Sequence, residues 1–261
     1  MNIDMIKAIF FDIDGTLVSF KTHKISDQVI SDMYRLKEKG IKLFIASGRH
    51  YMVMDNLCDF PFDGYVCMNG ALVIMDGKQI YAHPIGRELA SEVIERCESR
   101  SLPAVVFSID SYGISKKTER TEKAFKMINL KNVPVVPLSE TDPSKICQFT
   151  IFEDEEHEAV LTAELEGIAT SRWFPDFFDV NPAGLSKAEG IEKILGIIGA
   201  SREETIAFGD GGNDVEMLEY AGTGVAMGNA MDEVKSKADY VTLSVDEDGI
   251  SHAFRHFGLL E

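Results

Sequence analysis

Positive charge is what this chain has least of. Against 43 Asp and Glu stand 26 Lys and Arg, a formal net charge of −17 over 261 residues. A surface of that sign repels a phosphate backbone, so no nucleic-acid partner is expected. It also repels small anions at long range, so any anion site must bring its own local cations. Long apolar runs are missing as well. No segment reaches the roughly 20 residues that cross a bilayer, and no membrane partner is expected. The first residues, Met1-Asn2-Ile3-Asp4, carry neither a basic region nor a cleavage site. Cysteine is scarce: Cys58, Cys67, Cys97 and Cys147 form no C-x-x-C pair. Three of the four sit in apolar or helical surroundings and read as small core residues in a reducing cytoplasm, the expected location. Internal repeats and low-complexity linkers are absent too. With 45% hydrophobic residues, the chain can bury one large core or two modest ones.

What is present begins with Ala8-Ile9-Phe10-Phe11-Asp12-Ile13-Asp14-Gly15-Thr16. The apolar run from Ile6 to Phe11 reads as a strand buried on both faces, as in parallel sheets. It ends in two carboxylates that period 2 places on one side. Gly15 then permits a sharp turn, and Thr16 offers a hydroxyl there. Two anions held this close repel, and a hard, oxygen-seeking cation such as Mg²⁺ fits beside them. Taken alone, the pair could equally be an acidic turn.

The chain then alternates. Ser26 to Lys39 carries Val29, Ile30, Met33 and Leu36 at helical spacing and stops at Gly40. A second buried strand, Ile41 to Ala46, ends in Ser47-Gly48-Arg49, and a helix is expected over His50 to Cys58. A third strand, Tyr65 to Met68, ends in Asn69-Gly70-Ala71. This rhythm argues for βαβ units. From Leu72 it changes: a hairpin turning at Asp76-Gly77, a helix over Arg87 to Ser99, and short strands on either side of Ser111-Tyr112-Gly113. A strand over Lys145 to Phe152, an acidic helix over Glu153 to Glu166, and strands around Pro175-Asp176 follow, an α+β pattern. After Asn181-Pro182-Ala183-Gly184 the first rhythm returns, with a helix over Lys187 to Ile198, a strand at Thr205 to Phe208 and a helix over Gly212 to Tyr220. Short strands at Gly224 to Met227 and Tyr240 to Leu243 complete it. The fold class is therefore α/β, a Rossmann-like parallel sheet core (1–82 and 183–261) with an inserted α+β cap (83–182).

In an open α/β sheet, ligands bind at the carboxyl ends of the strands. Polar residues mark four predicted strand ends: Asp12 with Asp14, Ser47, Asn69 and Asp210. The last opens Gly209-Asp210-Gly211-Gly212-Asn213-Asp214, whose glycines allow close backbone approach and whose carboxylates add oxygen ligands for the same cation. Lys187, at the start of a helix just after the insertion, is the cation placed to reach this anionic centre. Each feature has a dull explanation alone; their order on this framework is harder to dismiss.

Together the residues Asp12-Ile13-Asp14-Gly15-Thr16, Ser47-Gly48-Arg49, Lys187 and Gly209 to Asp214 resemble the motifs of the haloacid dehalogenase superfamily phosphatases. Met68-Asn69-Gly70-Ala71, Val225-Ala226-Met227-Gly228-Asn229-Ala230 and Ala238-Asp239-Tyr240-Val241-Thr242, followed by Asp246-Glu247-Asp248-Gly249, are similar to its Cof-type branch. In that branch a cap interrupts the core between the second and third motifs. Ala188 stands where glycine commonly follows the lysine, and Ser244-Val245 replaces a usual Ser-Asn. The resemblance implies phosphoryl transfer through an aspartyl phosphate, with Asp12 as nucleophile and Asp14 as general acid and base. It implies Mg²⁺ held by Asp12, the backbone carbonyl of Asp14 and Asp210, with Asn213 and Asp214 acting through water or, for Asp214, by orienting Lys187. Ser47 and Lys187 would donate to the phosphoryl oxygens, and Gly48, Arg49, Asn69 and Asn213 would complete the substrate side. The implied substrate is a small phosphorylated metabolite, sugar (hexose) phosphates first, and a monomer is the simplest expectation for the assembly. A sugar phosphomutase and a phosphate-sensing module stand as alternatives.

Other signals stay structural. Gly222 to Gly228 has one residue too many for a dinucleotide loop and precedes a strand. His252 and His256 share a helix face with no third ligand in view, and His23 and His50, near the first two motifs, are expected at the surface, with a place lining the cleft as the alternative. Trp173, Phe174, Phe177 and Phe178 read as cap core, with a sugar-stacking platform as the alternative.

Overall fold

The computed structural model describes residues 5–127 and 130–261; residues 1–4, in which no leader is read, lie outside them. The chain divides into two compact units, Met1–Tyr81 with Ser186–Glu261, and Ala82–Leu185. It opens with β1 (Ala8–Phe11), α1 (Asp27–Glu38), β2 (Lys42–Ala46), β3 (Gly64–Cys67), β4 (Leu72–Met75) and β5 (Lys78–Ala82). The second unit runs α2 (Arg87–Ser99), β6 (Ala104–Ser108), β7 (Tyr112–Ile114), α3 (Glu119–Met127), β8 (Ile146–Ile151), α4 (Glu155–Thr162), β9 (Ile168–Phe174) and β10 (Phe177–Pro182). Then come α5 (Lys187–Ile198), β11 (Thr205–Gly209), α6 (Val215–Tyr220), β12 (Thr223–Ala226), α7 (Asp232–Lys235), β13 (Tyr240–Val241) and α8 (Gly249–His256).

The first unit is an eight-stranded sheet in the order β13-β12-β11-β1-β2-β3-β4-β5. Pairing is parallel from β13 to β3 and turns antiparallel between β3 and β4, where the 76–77 hairpin forms the edge. Strand β1 lies inside this sheet with all four residues buried, so its run of Ala, Ile and two Phe needs no polar alternation. Phe10 stacks on Phe44, and Phe11 stacks on Phe208 with Phe254 at its edge. Helix α1 starts where Ser26 accepts the Val29 amide and buries Val29, Met33 and Leu36. Each such side chain contributes about 1.5–3 kcal/mol. Asp32, also buried on α1, takes the Arg255 guanidinium of α8 at 2.8 Å and ties the two helices together.

The second unit is a five-stranded antiparallel sheet in the order β7-β6-β8-β10-β9. Helix α2 buries Ala90, Val93, Ile94 and Cys97 in a core shared with Val106, Phe149 and Phe178. Of the predicted aromatic group, Phe177 and Phe178 are core residues, whereas the side chains of Trp173 and Phe174 lie outside the described set.

Several expectations are corrected. The helix expected over His50 to Cys58 is one 3₁₀ turn, Tyr51–Val53. Asp55 and Asn56 follow it, side chains that compete for backbone bonds, and Cys58 and Asp59 adopt positive φ. The acidic helix ends at Thr162, not Glu166. Acids suit its first turn, but Glu164 and Glu166 would sit at the negative end of the macrodipole. The turn between β6 and β7 falls at 109–111, so Tyr112 and Gly113 are strand residues. Helix α3, unforeseen, buries only Thr121, Ala124 and Phe125 among charges.

Candidate active site

Strand β1 has parallel neighbours on both sides, β2 next in sequence and β11 from the far end of the chain. The connections leave it in opposite directions, which makes its carboxyl end the crevice of the sheet. Asp12 sits there, buried, with its amide donating to the Phe208 carbonyl at 3.0 Å. Gly15 follows with φ +85°, and a Cβ on it would fall 2.2 Å from Asp210 Oδ2. Only glycine lets the β11 carboxylate rest against this turn.

Lys187 is the first residue of α5 and is fully buried. Its ammonium donates to Asp12 Oδ1 and Asp214 Oδ1, both at 2.6 Å. A helix N-terminus disfavours a cation by about 0.3–1 kcal/mol, more where buried, and burial itself costs several. Two charge-assisted hydrogen bonds of about 1.5–3 kcal/mol each, with their coulombic attraction, reverse the balance. Burial, the strongest single influence, pushes the Lys187 pKa down, but the pull of Asp12 and Asp214 outweighs it and holds the group above the usual lysine value. Asp12 is displaced upwards as well, which for a carboxylate favours the neutral form. Burial raises its pKa well above the ordinary range, Lys187 opposes, and Asp214, Asp14 and Asp210 add to the rise.

Asp214 takes three donors. Its Oδ2 accepts the Asp210 and Gly211 amides at 2.9 and 2.8 Å, and its Oδ1 takes Lys187. Asp210 is more open. Thr16 Oγ1 donates to its Oδ1 at 2.9 Å and Asn229 Nδ2 to its Oδ2 at 3.2 Å. Burial pushes its pKa up to about 6, with Thr16 opposing and Asp214 adding to the rise. Carboxylate oxygens of Asp12, Asp210 and Asp214 lie within 4.8 Å of one another.

Asp14 stands two residues beyond Asp12 and is gripped by Arg49. Nε donates to Oδ2 and Nη2 to Oδ1, both at 2.7 Å, a bidentate fork. Four carboxylates thus meet two cationic side chains, Lys187 and Arg49, leaving negative charge uncompensated. Hard oxygen donors with an excess of negative charge suit a divalent cation such as Mg²⁺.

Ser47 is buried at the end of β2, where its Oγ accepts the Arg49 amide at 3.2 Å and leaves the hydroxyl proton to give. Its carbonyl takes the Asn69 amide at 3.1 Å. Met68, Asn69 and Gly70 are all left-handed, with φ 50°, 54° and 103°. A Cβ on Gly70 would meet the Ser186 carbonyl at 2.2 Å, so this strained turn presses against the residue preceding Lys187. Asn213 Nδ2 donates to Asn69 Oδ1 at 2.9 Å.

The structure therefore brings Asp12, Lys187, Asp214 and Asp210 into one network. Asp14, Arg49, Ser47, Asn69 and Asn213 form a second chain of hydrogen bonds, with Gly48 against Asn69, and it adjoins the first through the backbone at Asp12–Asp14 and Asn213–Asp214. Arg49 faces Asp14, a partner the sequence did not suggest. His50 is buried, not at the surface: its ring nitrogen accepts the Met52 amide at 3.3 Å. His23 is exposed, His252 meets Thr242 at 3.2 Å, and His256 stacks on Tyr240. Thr16 and Asn229 join the network through Asp210, contacts across 194 and 19 residues that no local pattern signals.

The chain is similar to several known proteins. A family model described as haloacid dehalogenase-like hydrolase matches residues 9–254. A putative phosphatase of Bacillus subtilis, YkrA, is 34% identical over 98% of this chain and 99% of its own. The 5-amino-6-(5-phospho-D-ribitylamino)uracil phosphatase YitU of Bacillus subtilis is 31% identical over 95% of this chain and 96% of its own. Among solved structures, the subclass IIB sugar phosphatase BT4131 superposes with a TM-score of 0.88 at 39% identity, covering 97% of this chain and 100% of that one. No helix among the described residues is long and apolar enough to cross a membrane.

Proposed function

The chain belongs to the haloacid dehalogenase-like hydrolase family and is a phosphatase of its Cof type, and we propose that it hydrolyses small sugar phosphates, hexose phosphates first, through a phosphate ester of Asp12. The observation that carries this reading is the buried Lys187 bridging Asp12 and Asp214 at 2.6 Å beside a second, open carboxylate, Asp210. Sugar as the leaving group is supported by the sugar phosphatase BT4131 and by the phosphoribityl group in the name of the YitU phosphatase.

In this mechanism Lys187 occupies Asp12 Oδ1 and leaves Oδ2 to attack phosphorus. An Asp12 O–P bond forms as the sugar O–P bond breaks, and Asp14 gives its proton to the departing oxygen. Water then attacks the phosphoaspartate while Asp14 takes up its proton, releasing phosphate and restoring Asp12. The Arg49 fork takes one lone pair of each Asp14 oxygen and leaves the other for the proton transfers. Ser47 and Lys187 donate to the phosphoryl oxygens, where charge collects. Asp214, which takes three donors, orients Lys187 and keeps acceptor capacity on Oδ1 for a water of the cation. Asn213 and Asn69, bonded to each other, border the substrate side with Gly48 and reach it directly or through water. Asp12, Asp210 and the Asp14 carbonyl would hold Mg²⁺, which when bound neutralises the phosphoryl oxygens. To the inserted unit we assign the choice among sugars.

Phosphate release from a panel of hexose, pentose and nucleoside monophosphates, with Mg²⁺ and then with chelator, tests this reading. Release from sugar phosphates that stops on chelation and returns with Mg²⁺ is the expected result. Isomerised sugar phosphate without free phosphate would overturn it in favour of a mutase. A protein-bound phosphate that persists without turnover would overturn it in favour of a sensor.

A further inference from the structure

Asn229 lies in the turn after β12, far in sequence from the nucleophile, yet its side-chain amide bonds with three groups around the carboxylates. Nδ2 donates to the Gly15 carbonyl at 2.9 Å and to Asp210 Oδ2 at 3.2 Å, and Oδ1 accepts the Val245 amide at 2.9 Å. The orientation is unambiguous, since reversing the amide would set oxygen against two oxygens and nitrogen against an N–H. The two groups it joins belong to different strand ends. Gly15 closes the turn that carries Asp12 and Asp14, and Asp210 ends β11. At Gly15 the contact is so close that the turn and the carboxylate cannot be positioned independently. Thr16 fixes the other oxygen of Asp210 from the same turn. Each Asp210 oxygen therefore receives one hydrogen bond and keeps a lone pair for a cation.

We propose that Asn229 is a positioning residue that holds the Asp210 carboxylate and the 14–16 turn at the separation a divalent cation requires. It touches neither substrate nor reacting atoms. This role rests on Asp12 and Asp210 being the cation ligands proposed above. Hydrogen-bonded partners of metal ligands contribute about 10–100-fold to metal affinity, because they spare the ion the cost of ordering its own ligands. Asn229 is also exposed, so its removal forfeits little packing and separates positioning from stability.

The test uses the full chain, stripped of metal and titrated with Mg²⁺ by calorimetry and with Mn²⁺ by the electron-spin signal of the free ion. Asn229→Ala and Asn229→Leu, which lack the donor, are expected to weaken both affinities about 10–100-fold, with the thermal midpoint within a few degrees of wild type. With saturating Mg²⁺ their kcat should return to within about threefold of wild type. Asn229→Gln, which keeps the donor on a longer arm, should fall between. If folded Asn229→Ala and Asn229→Leu bind within about twofold of wild type, or lose kcat without losing affinity, Asn229 does not position the site. Wild-type protein that binds neither ion would overturn the cation assignment itself, and this role with it.

Discussion

The two units use charge differently. In the discontinuous unit, Lys187, Asp12 and Asp214 are held at exposures of 0%, 10% and 1%, each making contacts of hydrogen-bond length. In the inserted unit, Arg120 spreads itself over Glu153, Asp154 and Asp176, two of the three at 3.6 and 3.8 Å, and is itself 32% exposed. Both are clusters of carboxylates around a cation. Only the first has been withdrawn from water, where a charge must be answered by another charge and the answer sets its reactivity. The exposed cluster competes with solvent and is worth about 0–1 kcal/mol per pair. Asp32 with Arg255 shows that a buried charge can also be purely structural; what sets the first cluster apart is three carboxylates gathered within 4.8 Å beside one buried lysine.

Substitutions can sharpen or break that contrast. The largest effect is expected from Asp12→Asn, which leaves no nucleophile and should reduce phosphate release and ³²P labelling of the protein to background. Asp14→Asn should keep the labelling site but slow turnover about 10²–10⁴-fold. Equal residual rates in the two would mean that the pair does not divide its labour as proposed. Lys187→Met strands two buried carboxylates and should lower unfolding free energy by about 3–5 kcal/mol in urea titrations. A loss under 1 kcal/mol would erase the contrast between the units.

The pH dependence is subtler. Asp210 has its pKa raised to about 6 in the folded chain, with burial the first cause. The native state therefore binds more protons than the unfolded state between about pH 4 and 6. Metal-free protein should gain stability as pH falls through 6 towards 4, a gain that Asp210→Asn reduces and that Mg²⁺ suppresses in thermal melts. Carboxylates with lowered pKa, such as Asp246 beside Lys21, act below that window and in the opposite sense. Arg120→Ala should change least, by under about 1 kcal/mol and with kcat unaltered.

Much of the core was legible in the sequence because its signals are local. The apolar run into Asp12, the Ser26 cap with its helical spacing, and the start of α5 at Lys187 each depend on neighbours a few residues away. What escaped depends on distance. Nothing near Arg49 announces that its fork will close on Asp14, and Thr16 meets Asp210 across 194 residues of chain. His50 looked like a surface residue because a helix was expected there; the 3₁₀ turn that replaced it uses the ring as its cap. Helix α3 escaped for a different reason. Its three buried residues are too few to outweigh its charges in a periodicity count. The motifs, by contrast, could be joined into one site before any contact was known, since strand ends of a parallel sheet share one edge.

The placement of the insertion also has a bearing on how the protein is made. Lys187 lies 175 residues after Asp12, and the whole of the inserted unit is synthesised between them. A nascent chain that has reached Leu185 carries Asp12 but neither the lysine bonded to it nor strand β11 beside it. The inserted unit is contiguous and antiparallel, so it can acquire its structure on the ribosome while the core waits for its last strands. A chain cut short at any point before Asp214 therefore lacks the Lys187–Asp214 bond, whatever the state of the inserted unit.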